Sequence, residues 1–189
     1  MPYKARDWKH GIFYHLMSRS NWKELMFRDE NDYRYFYNLL ESAYKKYPFE
    51  VSSFIFMKTH FHLLIKSNHL DYSRIMQYIK KNYSDYFNKK YQLRGHLFDK
   101  RFIAKPAYNH RTLLIMSRYI HYNPIEINAV RNPEDYKWSS YPLFLQADFN
   151  TDQDINLPPF INFRPLLTSF SGTYEEKRLK YIQWCNVTL

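Results

Sequence analysis

The pattern of apolar and polar positions along the chain predicts short strands that alternate with amphipathic helices. Four stretches have the bounded apolar runs that are typical of strands: 11–20, 49–57, 60–67 and 96–105. Three stretches repeat apolar residues at helical spacing: 31–47, 71–91 and 109–123. The order β-α-β-β-α-β, followed by a further helix, is typical of an α+β protein of the ferredoxin-like, or split βαβ, class. We therefore expect an antiparallel sheet with helices on one face.

Local signals predict where several elements begin and end. Only Lys58 and Thr59 separate the second and third strands, which indicates an antiparallel hairpin. Asn109 is a suitable N-cap for the third helix. Pro124 is expected to end that helix, because proline disfavours a helical conformation in the residue before it. The fourth strand is likewise expected to end before Pro106.

The C-terminal part of the chain predicts an appendage rather than a second domain. The segment 146–160 is a polar, proline-containing loop, and beyond it Thr173 and Glu176 form a capping-box signature for a last helix. A chain of 189 residues is long enough for one good core and short for two. We therefore expect one domain at 1–142 and a C-terminal helical extension at 143–189 packed on it.

Composition narrows the class of protein. No apolar run approaches the ~20 residues that a membrane span needs. The first residues lack the apolar core of a signal peptide. We therefore expect a cytoplasmic protein with no membrane contact. Cys185 is the single cysteine, which excludes an internal disulfide framework, and it is expected to be a semi-buried apolar side chain.

Positive charge is concentrated in one segment. The chain carries a formal net charge of +10, and the segment 79–105 has eight lysines and arginines against two aspartates. Basic side chains beside aromatic rings are what a single-stranded nucleic acid requires, because they neutralise phosphates and stack on bases. The alternative is a solvated basic helix whose aromatics lie in the core. The candidates for contacting DNA are Lys80, Lys81, Lys89, Lys90, Arg94, His96, Lys100, Arg101, Lys105 and Arg118.

Two histidines stand two positions apart in the third strand. His60 and His62 leave the same face of the sheet, because side chains in a strand alternate between faces. Two imidazoles held side by side can bind one metal ion. The alternative is a pair of partly buried histidines that are satisfied by hydrogen bonds.

The third helix carries Tyr119 and Asn123, which are one turn apart and therefore on one side. If this helix covers the face of His60 and His62, Asn123 can offer an amide oxygen to the same metal. Tyr119 could then attack a phosphodiester, once activated by the metal or by a basic neighbour such as Arg118, Arg101 or Lys105. The alternative is an ordinary core or surface tyrosine.

Several motifs, in this order, resemble those of a known family: "HFH" at 60–62, "RGHLFDKRF" at 94–102, "YIHYNP" at 119–124 and "WSSY" at 138–141. The chain resembles the REP-associated tyrosine transposases, which are single-tyrosine HUH transposases of bacterial insertion sequences. The resemblance covers roughly 11–142 and includes the first strand, "YHLMSRSN" at 14–21.

The resemblance implies a fold of the HUH endonuclease type and a set of roles. His60, His62 and Asn123 would bind Mg²⁺ or Mn²⁺, and Tyr119 would be the nucleophile. The implied reaction cleaves single-stranded DNA near hairpins formed by palindromic repeats, which gives a 5′-phosphotyrosine and a free 3′ hydroxyl, and then rejoins strands. The protein would act on the nucleoid as a monomer or homodimer. Asp99 departs from the family pattern, since relatives carry glutamine there.

Two other functions remain open at this stage. The same sheet could be a catalytically inactive, transposase-derived regulator that only binds nucleic acid. A metal-dependent hydrolase that uses water would form no covalent intermediate and would keep much of its activity after Tyr119→Phe.

Overall fold

One antiparallel sheet forms the centre of the molecule. The computed structural model describes residues 8–21, 24–147 and 157–187. The sheet has four strands: β1 (Phe13–Arg19), β2 (Glu50–Met57), β3 (His60–Lys66) and β4 (Ile103–Ala107). Their spatial order is β2-β3-β1-β4, with every neighbouring pair antiparallel. Because β3 lies between the parallel strands β1 and β2, the predicted split βαβ class is confirmed.

Two helices cover one face of this sheet with an aromatic core. They are α1 (Glu30–Lys46) and α2 (Tyr72–Tyr91). The Phe36 ring of α1 lies 4.7 Å from Phe61 of β3 and 4.9 Å from Tyr83 of α2, measured between ring centroids. All three side chains are fully buried. Burying one such phenylalanine contributes about 1.5–3 kcal/mol, so these rings hold both helices on the sheet.

A third helix, α3 (His110–Glu126), covers the opposite face. It packs on β2, β3 and β4, and its Tyr119 contacts His62, whereas the neighbouring Phe61 points to α1. Side chains alternate along β3, so the two faces of the sheet differ in chemistry. The prediction of helices on one face is confirmed for α1 and α2. Because α3 lies on the other face, the sheet is the middle of three layers.

The predicted end of α3 at Pro124 is wrong. Asn109 is the N-cap as expected, and its side chain accepts from the Thr112 backbone N–H at 2.8 Å. The helix then runs through Pro124 to Glu126. Proline has a helical φ itself and only disfavours helix in the residue before it. Both Asn123 and Pro124 are buried, and that burial offsets the cost.

The predicted fourth strand, 96–105, is also wrong in its limits. The strand β4 contains Pro106, which pairs with Tyr14 of β1. An edge strand has a side without a partner, so the missing N–H of proline is tolerated there. The residues before β4 form no regular ladder: they make an isolated bridge between Phe98 and Ser20 and backbone hydrogen bonds on either side of it.

The C-terminal residues pack on β2 and α3. Those that the structure describes include three helices: α4 (Tyr141–Gln146), α5 (Arg164–Leu167) and α6 (Tyr174–Asn186). The edge of β2 is covered by isolated bridges to Ser139 and Ile161. The capping box of Thr173 and Glu176 starts α6 as predicted. Cys185 is fully buried rather than semi-buried. The predicted loop, 146–160, lies partly outside the described residues.

None of the helices in the described ranges combines the length and the apolar content that crossing a membrane requires.

Candidate functional site

Strand β3 brings two histidines, His60 and His62, to the face under α3. In the register of the sheet, His60 lies opposite Arg19, and His62 lies opposite Met17. The two imidazole rings are 5.0 Å apart and almost perpendicular, at 87°. His60 is partly exposed, whereas His62 is only 1% exposed. The histidines therefore share one face, with one ring at the opening of the site and the other at its base.

Helix α3 adds Tyr119 and Asn123 to the same site. The Tyr119 ring lies 5.6 Å from that of His62 and is 38% exposed, so a substrate can reach it. Asn123 is buried one turn further along the helix. Burial lowers the pKa of His60, and the nearby Asn123 amide opposes that shift. All four residues singled out in the sequence are thus brought together.

Two buried polar atoms in this site have no hydrogen-bond partner among the described residues. They are Nε2 of His62 and Oδ1 of Asn123. An unpaired buried polar atom costs about 1–3 kcal/mol, so such atoms are rare unless a ligand satisfies them. A nitrogen lone pair and an amide oxygen are both suitable donors for a divalent cation. The donor set therefore fits a metal ion.

The site is sparse for a metal centre. No group of three or more His, Cys, Asp or Glu side chains placed to hold a metal occurs in the part of the chain that the structure describes. The imidazoles of His60 and His62 would need the amide of Asn123 as a third protein ligand. A site with few ligands leaves coordination positions open, which suits a catalytic metal better than a structural one.

His15 is a site residue that sequence reasoning missed. Its Nε2 lies 2.8 Å from Nδ1 of His62, and its ring is 5.8 Å from that of Tyr119. Burial and then the charge of Lys105 lower the pKa of His15 to about 4, so the ring is neutral near pH 7. Burial and the two neighbouring histidines also lower the pKa of His62. The alternation of β1 would have placed His15 on a face, but not beside His62.

Cavities on both sides of Tyr119 give access to these residues. One, of about 230 Å³, is lined by His60, His62 and Tyr119 among others. The other, of about 480 Å³, is lined by Tyr119, His15 and Lys105 among others. Arg19 and Met17 line both cavities. Arg19 and Lys105 supply the positive charge that a phosphate group would need here.

The other predicted basic neighbours of Tyr119 lie elsewhere. The Arg118 guanidinium donates to the backbone oxygens of Cys185 and Val187, at 2.7 and 3.5 Å, and therefore caps α6. Arg101 is exposed in the segment before β4. Of the three candidates, only Lys105 lines a described cavity together with Tyr119.

The second tyrosine of the motif, Tyr122, points away from the histidines. Its hydroxyl donates to the Asn186 side chain, and the Arg118 guanidinium lies 4.9 Å from its ring centroid. Burial raises the pKa of Tyr122. Tyr119 is therefore the tyrosine of α3 that faces the histidines.

Most of the predicted DNA-contacting residues are exposed. A groove of about 390 Å³ lies between α2 and the segment that follows it, lined by Lys80, Lys81 and His96 among others. Lys80 is half-buried, and its ammonium donates to the Lys100 backbone oxygen at 2.9 Å. The exposed members of the predicted set are Lys81, Lys89, Arg94, His96, Lys100, Arg101 and Lys105. The Lys81 ammonium makes an exposed ion pair with Asp85 at 2.7 Å.

Lys90 is engaged within the protein. Its ammonium lies 2.8 Å from Asp29 and 2.7 Å from the buried carboxylate of Asp32. Tyr91 donates to Asp32 as well, at 2.7 Å. This cluster joins the start of α1 to the end of α2. The structure therefore places Lys90 in an internal ion pair, unlike its neighbour Lys89.

The expectation that aromatics of this segment stack on bases is wrong for most of them. Tyr83, Phe87 and Phe98 are buried in the core. The Tyr86 ring stacks on Tyr35, with centroids 3.7 Å apart. The alternative, that these rings belong to the fold, is therefore the one that the structure supports, and helical spacing alone could not separate the two.

A buried hydrogen-bond network holds α3 in place. The Ser117 hydroxyl lies 2.6 Å from both the Ser53 hydroxyl of β2 and the Tyr181 hydroxyl of α6. Tyr181 in turn contacts Nδ1 of His121 at 3.2 Å, and His121 Nε2 lies 2.9 Å from the Ser140 hydroxyl. The motifs "YIHYNP" and "WSSY" meet in this network. It fixes the helix from which Tyr119 and Asn123 project.

Comparisons with known proteins agree with the motifs and the fold. A family model described as "Transposase IS200 like" matches residues 9–123. No curated protein matches the chain. Among solved structures, a REP-associated tyrosine transposase bound to a REP hairpin is similar at 18% identity, with a TM-score of 0.66 over 77% of this chain and 86% of that one. A putative transposase from Deinococcus radiodurans R1 is 15% identical, with a TM-score of 0.44 over 60% of this chain and 92% of that one.

Proposed function

Because the chain belongs to the IS200-like transposase family, we propose that it is a metal-dependent endonuclease and strand transferase for single-stranded DNA that acts through Tyr119. The observation that carries this proposal is a pair of buried atoms that could ligate a metal and have no hydrogen-bond partner among the described residues, His62 Nε2 and Asn123 Oδ1. They lie beside an accessible tyrosine. A protein that only binds DNA has no use for two such atoms, because each costs stability.

A divalent cation, Mg²⁺ or Mn²⁺, is the proposed cofactor. His60, His62 and Asn123 would hold it, and its charge would polarise a non-bridging oxygen of the scissile phosphate. The imidazoles favour Mn²⁺ in a binding assay, since Mg²⁺ prefers oxygen ligands.

The proposed cleavage is a transfer of the phosphoryl group to tyrosine. The Tyr119 hydroxyl oxygen attacks phosphorus and loses its proton to solvent, while the bond from phosphorus to the 3′ oxygen breaks. That oxygen takes up a proton and becomes the free 3′ hydroxyl of the upstream fragment, and the downstream fragment remains bound to Tyr119 through its 5′ phosphate. Attack by another 3′ hydroxyl reverses the step and joins strands. Arg19 and Lys105 would bind the phosphate, and support comes from the larger cavity beside Tyr119, which both of them line.

The proposed substrate is single-stranded DNA that carries a hairpin. Support comes from the similar structure, a REP-associated tyrosine transposase bound to a REP hairpin, and from the exposed basic residues of this chain. The DNA-contacting set is accordingly Lys80, Lys81, Lys89, Arg94, His96, Lys100, Arg101 and Lys105. We leave out Lys90 and Arg118, because their side chains bind other parts of the protein. Lys80 stays in the set because it lines the groove beside α2, although its ammonium donates to the Lys100 backbone oxygen at 2.9 Å.

End-labelled oligonucleotides test the polarity of this reaction. Hairpin oligonucleotides with varied flanks would be incubated with Mn²⁺ and run on denaturing gels. A 3′ label should migrate with the protein and a 5′ label should appear on a shorter free strand. Tyr119→Phe should abolish both products, and the matched variant Tyr122→Phe should keep them. Tight binding without any cleavage would favour the inactive regulator, and cleavage that survives Tyr119→Phe would favour a hydrolase that uses water.

A further inference from the structure

We propose that His15 is a positioning residue that fixes the tautomer of His62, so that His62 presents an unprotonated Nε2 to a divalent cation. The inference rests on the metal site proposed above and extends it to a residue outside the ligand set. It assigns His15 no contact with substrate.

The geometry joins the two rings through one specific pair of atoms. His15 Nε2 and His62 Nδ1 are 2.8 Å apart, which is a normal hydrogen-bond length. The ring centroids are 5.0 Å apart, with an angle of 30° between the planes. Both residues lie on neighbouring strands, His15 on β1 and His62 on β3, and both are at least nine-tenths buried. Two stiff strands therefore hold the contact.

The hydrogen bond between these rings contains one proton, so only two arrangements exist. In the first, His62 Nδ1–H donates to His15, and His62 Nε2 has a free lone pair. In the second, His15 Nε2–H donates, and the proton of neutral His62 sits on Nε2. Since Nε2 has no partner among the described residues, the second arrangement would leave a buried donor unsatisfied. Orphaned buried donors are rarer than under-satisfied acceptors, so we assign the first arrangement.

The consequence concerns both orientation and basicity. A metal-binding histidine commonly donates its other ring N–H to an acceptor, which fixes the ring and raises the basicity of the ligating nitrogen. His15 would be that acceptor for His62. The His15 ring also meets the Tyr119 ring edge-on, at 61°. The same side chain thus packs against both the proposed metal ligand and the proposed nucleophile.

Two matched variants separate this role from simple packing. His15→Gln keeps an acceptor, because its amide oxygen can occupy the place of Nε2. His15→Phe fills a similar volume without an acceptor. The first measurement is the tautomer of His62 in the metal-free protein, from long-range ¹H–¹⁵N correlations of ¹⁵N-histidine-labelled samples, with the signal assigned through His62→Gln. We expect the proton on Nδ1 in the wild-type chain and on Nε2, at least in part, in His15→Phe. His121, in a separate network, is the internal control.

The second measurement is the affinity of the protein for Mn²⁺ without DNA. The electron paramagnetic resonance signal of the free ion reports how much Mn²⁺ remains unbound. His15→Phe should weaken binding about 10- to 100-fold, and His15→Gln should lose much less. A wild-type His62 protonated on Nε2 would overturn the assignment, as would equal affinities in the wild-type and His15→Phe proteins. If the tautomer is as expected but the wild-type chain binds no Mn²⁺, the proposed metal site fails while the role of His15 in setting the tautomer stands.

Discussion

The hydroxyls of Ser117 and Tyr181 lie 2.6 Å apart, so the helix that carries Tyr119 is bonded directly to the last helix of the chain. The Tyr181 side chain is completely buried. The same Ser117 hydroxyl contacts Ser53 of β2, so the C-terminal residues help to hold α3 on the sheet.

Removal of the Tyr181 hydroxyl should destabilise the protein without creating a large cavity in the core. Tyr181→Phe leaves Ser117 and His121 each short of one buried partner, which costs about 1–3 kcal/mol. Urea denaturation should show this as a lower midpoint with an unchanged slope. Tyr108→Phe is the control, because Tyr108 is 63% exposed. Equal midpoints for the two variants would contradict the role assigned to the network.

Stability should fall as the pH drops below the ordinary pKa of histidine. Burial lowers the pKa of His121 from 6.5 to about 3, and burial, then Lys105, lowers that of His15 to about 4. Between those values and about 6.5 the unfolded chain binds protons that the folded chain does not. The free energy of unfolding therefore has its full value above about pH 6.5. At lower pH it decreases, by up to ~1.4 kcal/mol per pH unit for each histidine.

Urea titrations in EDTA, from about pH 7 to about pH 5, would measure this slope. The variant His69→Gln changes an exposed histidine and should keep the slope. A free energy of unfolding that stays constant across this range would show that these histidines are not held neutral.

Two adjacent lysines should behave in opposite ways. Lys90→Met removes the cation beside the buried Asp32, so it should lower stability by about 1–3 kcal/mol and leave DNA affinity per folded molecule unchanged. Lys89→Met changes an exposed side chain, so it should leave stability unchanged and weaken DNA binding.

Salt titrations of hairpin binding provide the readout for Lys89. The logarithm of the affinity should fall linearly with the logarithm of salt concentration, and Lys89→Met should reduce the slope by about 0.7. An affinity indifferent to salt would contradict the assignment of the basic surface. A slope reduced by Lys90→Met instead would contradict the separation of the two lysines.

Patterns within one element correctly predicted which of the candidate residues share a face. The alternation of β3 is enough to put His60 and His62 on one face, and the helical repeat is enough to put Tyr119 and Asn123 on one side. The limits of β4 were mispredicted because an edge strand tolerates Pro106, and local sequence does not reveal which strand is at the edge.

Contacts between distant segments could not be predicted from the sequence. His15 reaches His62 only because β1 and β3 are neighbours in the sheet, and Ser117 meets Tyr181 across 64 positions of chain. The aromatics of α2 have the same spacing whether they face a core or a DNA strand. Lys90 differs from Lys89 through its ion pairs with Asp29 and Asp32, which lie at the start of α1.

The most direct test of the account is to find the covalent bond. The protein would be incubated with Mn²⁺ and single-stranded hairpin oligonucleotides, then digested with nuclease and trypsin. The peptide at 119–131, YIHYNPIEINAVR, would be sequenced by mass spectrometry. We predict a nucleotide mass on Tyr119 that is lost with EDTA and in His60→Ala. A nucleotide mass on Tyr122, or cleaved DNA without any mass on this peptide, would contradict the assignment of Tyr119 as the nucleophile.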